Sequence, residues 1–320
     1  MKVWPKWKDP YDGSEIHQNG SVFVSKSGNI YPIEDGIPRF VKHLNYSQAF
    51  GKQWNHYQVT QLDSYTGEPI SEKRLKLCLG EDLFKIIKST IILDAGCGAG
   101  RFTEIFLKYN ANVMSIDMSE AIETNQRNFP QNNNHRIAQA DILNLPFAKR
   151  KFDLVICLGV VQHTPSSEKT IYALYDQVKP GGTVVFDHYV YSFSHYTHIL
   201  RLFLRPILKR LSPDKGLRIT ELLTDIFLPL HKIGRRSYLW QLIMKLITPV
   251  TSYYYDYPEL SDELQKEWAL LDTHDALTDY YKHFKTRGQI FQIMNKLGMK
   301  NIICEYGSTG IRARGMRPDY

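Results

Sequence analysis

The chain is 320 residues long, enough for one large domain or a core with additions, and its apolar (43%) and charged (23%) fractions are ordinary for a soluble globular protein. The net charge of +7 is not spread evenly: residues 191–250 hold ten Lys/Arg against three Asp/Glu, and the remainder is close to neutral. No apolar core in residues 1–10 suggests a signal peptide, no run of about 18 apolar residues suggests a transmembrane helix, and Cys78, Cys97, Cys157 and Cys304 lack metal or disulfide spacing, so buried thiols in a reducing cytoplasm are expected.

Residues 11–40 carry short β-like runs, 21–25 and 29–33, joined by Gly-containing turns. They predict a small β-module over residues 1–45. Residues 46–90 follow as a helical lid or lead-in, with Gln53, Trp54, Asp63 and Tyr65 as candidates to cover a ligand and simple packing as the alternative. Ser71, Glu72 and Arg74 open a helix into residues 75–79.

The stretch 91–103, IILDAGCGAGRFT, organises what comes next. Ile91, Ile92 and Leu93 read as a buried parallel strand ending at Asp94. Gly96, Gly98 and Gly100 then let the backbone turn sharply and approach a ligand closely before a helix starts at Arg101. The third glycine of a dinucleotide fingerprint is missing, since that position holds Arg101. A second strand over 111–116 ends at Asp117, 23 residues beyond Asp94, where a carboxylate can accept from both hydroxyls of a ribose. A third strand over 136–140 leads to Asp141 and Ile142, and a fourth over 154–158 leads from Leu158 into the turn GVVQHTP at 159–165, which contains Gln162 and His163. A helix over 168–178, the turn KPGG at 179–182 and a fifth strand over 183–186 complete an alternation that predicts a parallel sheet with helices on both faces.

About 95 residues separate that strand from the next recognisable core helix, 286–298, which is followed by two strands, 301–306 and 310–315. A structureless loop of that length is improbable, so residues 191–283 are expected to form a helical cap, flanked by a core of 91–190 and 284–320. Leu200, Phe203, Leu204, Ile207, Leu208 and Leu211 share one helical face, while Arg201, Arg205 and Lys209 recur on another; Pro206 should kink or divide the helix. Residues 219–233 and 237–250 repeat the apolar theme. Three readings stay open: a cap with a solvated basic face, a membrane-surface helix or apolar substrate tunnel, and a site for a phosphate-bearing partner. Asp272, His274, Asp275, Tyr280 and His283 form a polar cluster near the end, either close to a substrate mouth or a plain surface turn.

The motifs across roughly 95 residues resemble, in order, those of class I S-adenosylmethionine-dependent methyltransferases, of the small-molecule type. The resemblance implies a Rossmann-like seven-stranded, mostly parallel α/β sheet with helices on both faces, carrying an N-terminal β-module and a helical cap insertion. It implies S-adenosyl-L-methionine as cofactor. Asp94, Gly96, Cys97, Gly98 and Gly100 would cradle its methionine part, with packing as the other reading of Cys97. Asp117 would take the ribose, Met118 the adenine face, and Asp141 with Ile142 the adenine edge. Leu158 and Gln162 would line the reactive end, and Trp54 and Tyr65 would belong to a covering lid. Residues 31–40, YPIEDGIPRF, look like the end of a zinc-ribbon module found before some bacterial methyltransferase cores; with Ser25 and Ser27 where a cysteine pair would stand, no metal is expected.

Methyl transfer from a sulfonium needs positioning and, for some acceptors, a base; His163 is the first candidate, His188 the second, then His274 and His283. His163 as a structural support of the loop is the competing reading. The turn at 159–165 lacks the Asn/Asp-Pro-Pro-Tyr signature used on exocyclic base nitrogens. The expectation is methylation of oxygen, nitrogen or carbon on a small or lipid-like molecule held under the cap, in the cytoplasm or peripherally at the inner membrane face, without a nucleic-acid partner. The alternatives are an RNA or protein methyltransferase and a non-catalytic binding protein with the same fold.

Overall fold

The computed structural model describes residues 4–41, 48–191, 199–307 and 310–319. Its contacts divide the chain into two units: residues 1–45, 71–190 and 281–320 form an α/β unit, and residues 46–70 with 191–280 form a helical one. The segment expected as one lead-in over 46–90 is therefore split at residue 70.

The α/β unit opens with four short strands, β1 (Ile16–Asn19), β2 (Val22–Ser25), β3 (Ile30–Glu34) and β4 (Ile37–Pro38), paired antiparallel in chain order. The centre of this module is polar. Asp9 Oδ2 accepts from Asn29 Nδ2 and Tyr31 Oη, both at 2.9 Å, and Asp9 Oδ1 accepts from the Tyr11 N–H at 2.9 Å. Ser25 Oγ lies 2.8 Å from Ser27 Oγ and accepts from the Asn29 N–H. Hydrogen bonds thus tie together the neighbourhood in which a ribbon would carry cysteines. An outer aromatic layer, in which Trp7 stacks on Phe147 at 5.1 Å and meets Phe40 at 5.3 Å, fastens the module to the main sheet.

That sheet has seven strands: β5 (Ile91–Ala95), β6 (Asn112–Asp117), β7 (His135–Gln139), β8 (Phe152–Cys157), β9 (Val178–His188), β10 (Lys300–Gly307) and β11 (Gly310–Met316). Their order is β10-β11-β9-β8-β5-β6-β7, with β10 and β11 antiparallel and the other five parallel. Arg39, just past β4, adds a parallel bridge to Gln139 at the far edge. The central strands are apolar because they are covered twice. Successive side chains face opposite ways: Leu93, Met114, Val155 and Val184 enter one core, and Ile92, Val113, Ile156 and Val185 the other. Each of these fully buried aliphatic side chains contributes about 1.5–3 kcal/mol. The first core is closed by α7 (Ser167–Gln177) and α12 (Arg287–Lys296), the second by α3 (Ile70–Leu79), α4 (Glu81–Ile86) and α5 (Arg101–Lys108); α6 (Ala121–Asn128) follows β6. Thr286 and Gln289 form a full capping box at the start of α12, the sequence-level signal that marks this helix.

One expectation needs correcting. Lys179-Pro-Gly-Gly182 is not a turn before the fifth strand but lies inside it, as an irregularity where the register against β8 shifts between Phe152 and Leu154. Glycine is needed there: a Cβ on Gly182 would stand 2.7 Å from the Asp153 carbonyl oxygen.

The helical unit contains α1 (Gln48–His56), α2 (Asp63–Thr66), α8 (Ile199–Leu208), α9 (Pro213–Ile233), α10 (Tyr238–Ile247) and α11 (Asp262–Thr278). It is built on α11, whose Trp268, Ala269, Leu270 and Leu271 enter three separate apolar clusters. Asp272, His274 and Asp275, for which a surface turn is one of two expectations from the sequence, are part of this helix. Pro206 does not divide α8: it falls in the last turn, where a single backbone hydrogen bond is forgone.

Burial alone would raise the Asp9 carboxyl, but the donors from Asn29, Tyr11 and Tyr31 outweigh it and hold the pKa at about 2. Replacing Asp9 by Asn should cost about 1–3 kcal/mol at neutral pH in chemical denaturation, because buried donors lose their charged acceptor. Because the folded pKa lies below the ordinary 3.8, the increment is present above that pH and should disappear from the wild type as pH falls toward about 2.

Candidate active site

β5 delivers Asp94 fully buried at its end, and Ala95 still belongs to the strand. The loop that follows turns on left-handed glycines: Gly96 has φ +80°, Gly98 +52° and Gly100 +102°. At Gly96 the constraint is double, since a Cβ there would lie 2.5 Å from Val160 Cγ2 in the turn after β8. The loop is tied to the end of β6 as well as to itself, where the Gly100 N–H donates to the Cys97 carbonyl at 3.0 Å. The Gly96 and Cys97 N–H groups both donate to the Ile116 carbonyl, at 2.8 and 3.0 Å, and the Gly98 N–H donates to Asp117 Oδ2 at 2.9 Å. Asp117 Oδ1 accepts from the Ser119 N–H and hydroxyl at 2.8 and 2.7 Å. Asp94 Oδ2 accepts from Thr103 Oγ1 at 2.8 Å, and Thr103 in turn contacts Ser115 and Asn125.

Two acids, the buried Asp94 at the end of β5 and the half-buried Asp117 at the end of β6, therefore flank the start of one glycine loop. Burial pushes Asp94 up to about 7, opposed by the Thr103 hydroxyl and reinforced by the negative charge of Asp117. Burial raises Asp117 as well, against the donors from Ser119 and Gly98. A positively charged or hydrogen-bond-donating ligand at this site would favour the ionised form of both acids.

The other predicted residues of the α/β unit fall around this loop to different degrees. Met118 follows Asp117 and is half-buried, with its carbonyl accepting from Gln139 Nε2. Asp141 accepts from the Leu143 N–H at 2.9 Å and from Asn144 Nδ2, closing a tight turn after β7, and Ile142 joins the first core. Leu158 packs in the second core. Cys97 turns into a small cluster with Ile37, Ile122 and Ile137, so its side chain packs beneath the loop. Gln162 is buried, and its Oε1 has no hydrogen-bond partner among the described residues.

His163 lies on the single 3₁₀ turn Val161–His163, 6% exposed. Its Nδ1 is 3.2 Å from the Tyr281 carbonyl, an acceptor that places a proton on Nδ1. The ring meets Tyr189 edge-on at 5.3 Å, and Tyr189 stacks on Phe284 at 6.0 Å. His283 extends this aromatic wall, stacked with Tyr281 at 6.1 Å, and its N–H donates to the Gln162 carbonyl. His188 differs. Its Nδ1–H donates to the Tyr189 carbonyl and its Nε2 accepts from Ser167 Oγ, each at 2.8 Å, and burial holds the ring at about 4. Both nitrogens are committed, so His188 holds neighbouring backbone rather than acting as a base.

His274 is on α11 inside the helical unit, 1% exposed, with Nδ1 3.4 Å from Thr220 Oγ1 and a pKa held by burial at about 4. It belongs to that unit's packing. The lid candidates lie in the same unit: Trp54 packs with Tyr57, Leu270 and Leu271, Gln53 Nε2 donates to the Leu271 carbonyl, and the Tyr65 hydroxyl donates to Glu267.

Sequence reasoning missed Asp187. This buried acid near the end of β9 accepts from the Gly159 N–H through Oδ1 at 2.6 Å and from Arg74 on α3 through Oδ2 at 2.5 Å. It thereby pins the start of the turn that carries Gln162 and His163. The available signal was an acid in the apolar run VVFDH.

Residues 93–186 match a family model described as a methyltransferase domain. The chain is 28% identical over 118 residues to a ubiquinone biosynthesis O-methyltransferase of Coxiella burnetii, covering 36% of this chain and 50% of that protein. It is 29% identical over 163 residues to the protein of the same name from Pseudomonas putida, covering 44% and 70%. The chain thus spans about half the length of the first of these curated relatives. A solved O-methyltransferase family protein from Burkholderia thailandensis superposes with a TM-score of 0.47 at 10% identity, over 86% of this chain and 64% of that one.

In ligand-free protein, Asp94→Asn should melt progressively further above the wild type as pH rises through about 7. The sign follows from a folded pKa above the ordinary 3.8: the neutral acid stabilises the fold at low pH, and that advantage is lost as the buried group is forced to ionise. In Gly96→Ala, the added Cβ must displace Val160 or the loop, and binding of S-adenosylhomocysteine measured by calorimetry should weaken by about tenfold or more, equivalent to at least ~1.4 kcal/mol.

Proposed function

Because residues 93–186 match a methyltransferase-domain model, we propose that the protein is a class I S-adenosylmethionine-dependent methyltransferase that methylates a small, lipid-like acceptor, with oxygen as the acceptor atom. The observation that carries the reading is a glycine loop between Asp94 and Asp117 whose Gly96, Cys97 and Gly98 N–H groups bond to the end of β6. The residues present fit the cofactor. The loop backbone stays bare because a Cβ at Gly96 would collide with Val160, and Gln162 Oε1 is a buried acceptor without a partner among the described residues. When bound, S-adenosylmethionine supplies a methyl group already activated on a sulfonium sulfur.

The chain's own residues then have three tasks. Asp117, Met118 and Asp141 bind and orient the nucleoside end, and Asp94 with the glycine loop holds the amino-acid end. Asp187 fixes the Gly159 N–H and so sets the turn beside the reactive end. His163 takes the acceptor's proton, its ring oriented by the Nδ1 contact with the Tyr281 carbonyl. Tyr189, Tyr281 and Phe284 supply an apolar wall against which a ring or chain can pack. Oxygen as acceptor draws support from the curated relatives, named as O-methyltransferases of ubiquinone biosynthesis. A working position on the cytoplasmic side, at the inner face of a membrane, belongs to the same reading.

Purified protein supplied with methyl-labelled cofactor and an extract of its native cell should place label in the solvent-soluble or lipid fraction. Label confined to RNA or protein would refute the acceptor class while keeping the enzyme class. On the identified acceptor, His163→Ala should lower kcat by roughly 100-fold while the cofactor's Kd stays within about threefold.

A further inference from the structure

The helical unit shows an arrangement that a water-facing helix bundle avoids. On α9 the residues turned inward are Gly216, Thr220, Thr224, Leu228 and His231, whereas Leu222, Ile226, Leu230 and Ile233 form a stripe on the opposite, exposed side. α10 repeats the inversion: Gln241 and Met244 are buried, while Leu239, Leu242, Ile243 and Leu246 are exposed. α8 adds Leu202, Phe203 and Ile207, with Phe203 70% exposed. The three helices are packed together, since Arg201 of α8 donates to the Pro249 carbonyl just beyond α10 and Trp240 of α10 donates to the Leu230 carbonyl of α9. Inner polar groups bond to one another: His231 bonds both Gln241 and Thr248 at 2.8 Å, and Thr220 donates to the Gly216 carbonyl at 2.9 Å. The outward apolar stripes are not a misplaced core, because the unit has its own buried apolar clusters around Trp268, Ala269, Leu270 and Leu271. Exposed apolar surface on this scale marks a site that something else covers.

We propose that the outward face of α8, α9 and α10 docks on an anionic lipid surface. This deepens the membrane-surface position stated above and rests on it. Charge selects the occupant. Lys215, Arg218, Arg235, Arg236 and Lys245 are exposed on the same helices and the turn between them, in a segment with ten Lys/Arg and three Asp/Glu. A second copy meeting this face would set like positive charge against like, whereas anionic headgroups would neutralise it. Arg235 and Arg236 sit between the α9 and α10 stripes in sequence, so headgroup contacts would flank acyl-chain contacts. No helix among the described residues is long and apolar enough to cross a membrane, so the face lies on the surface.

The test is co-sedimentation of the full chain, with S-adenosylhomocysteine present, on two vesicle types: phosphatidylcholine alone, and phosphatidylcholine mixed with phosphatidylglycerol. Binding to the anionic vesicles alone is expected, weakened by salt and reduced about tenfold or more in Arg235→Glu/Arg236→Glu and in Ile226→Ser/Ile243→Ser. Both variants change exposed residues outside the proposed site, so cofactor binding serves as the folding control and should be unchanged. Binding that is absent, equal on both vesicle types, or unaffected in both variants would overturn the proposal. A dimer that the Ile variant abolishes, with no vesicle binding, would overturn it in favour of self-association. Methyl transfer in solution to a soluble acceptor is read separately, so loss of vesicle binding leaves the enzymatic reading intact.

Discussion

The Gly98 N–H donating to Asp117, with the Gly96 and Cys97 N–H groups donating to Ile116, is the tether on which the site depends. A glycine loop is the most pliable backbone available, and its entropy of ordering is correspondingly large. Here that cost is met before any ligand arrives, because the loop hydrogen-bonds to the end of a strand locked between two cores. The same carboxylate that organises the loop has further acceptor capacity, so positioning the loop and recognising a ligand fall to one group. The tether also explains why the strand order matters: β6 lies directly beside β5 in the sheet, and only that adjacency brings residue 117 within 2.9 Å of residue 98.

On the other side of β5 a second buried acid works in parallel. Asp187 reaches across from β9 to the Gly159 N–H after β8, while Arg74 from α3 neutralises its charge. An ion pair so deeply placed gains little net stability, since desolvation offsets most of the attraction. Its effect is specificity of backbone position: the turn over 159–163 packs Val160 against Gly96, and so the two loops that frame the site are fixed against one another.

The helical unit follows a different logic. Its interior mixes apolar clusters around α11 with fully bonded polar groups such as His231, while much of its large apolar side-chain surface faces outward. Patterning of this kind sacrifices the usual gain from apolar burial, about 25 cal/mol per Å², on the faces left open. The N-terminal module is a third case, in which a buried carboxylate with several donors organises a sheet too small to hold much of a core.

The sequence by itself determined the α/β alternation, the glycine loop, the acids at 94, 117 and 141, and a long insertion of helical character. Each of these is written in local pattern: apolar runs of strand length, glycines at a fixed spacing, and an acid at each strand end. Tertiary structure alone decided the rest. It placed Lys179–Gly182 inside a strand rather than before it, because a register shift depends on the neighbouring strand and not on the turn residues. It separated three histidines that look alike in sequence: His188 is saturated by Ser167 and the Tyr189 carbonyl, His274 is enclosed in the helical unit, and His163 is aligned by a carbonyl 118 residues away. It also gave Asp187 its partners, 28 and 113 residues distant. Hydrogen-bond partners that far apart are chosen by how the strands and helices pack, and no local pattern carries that information.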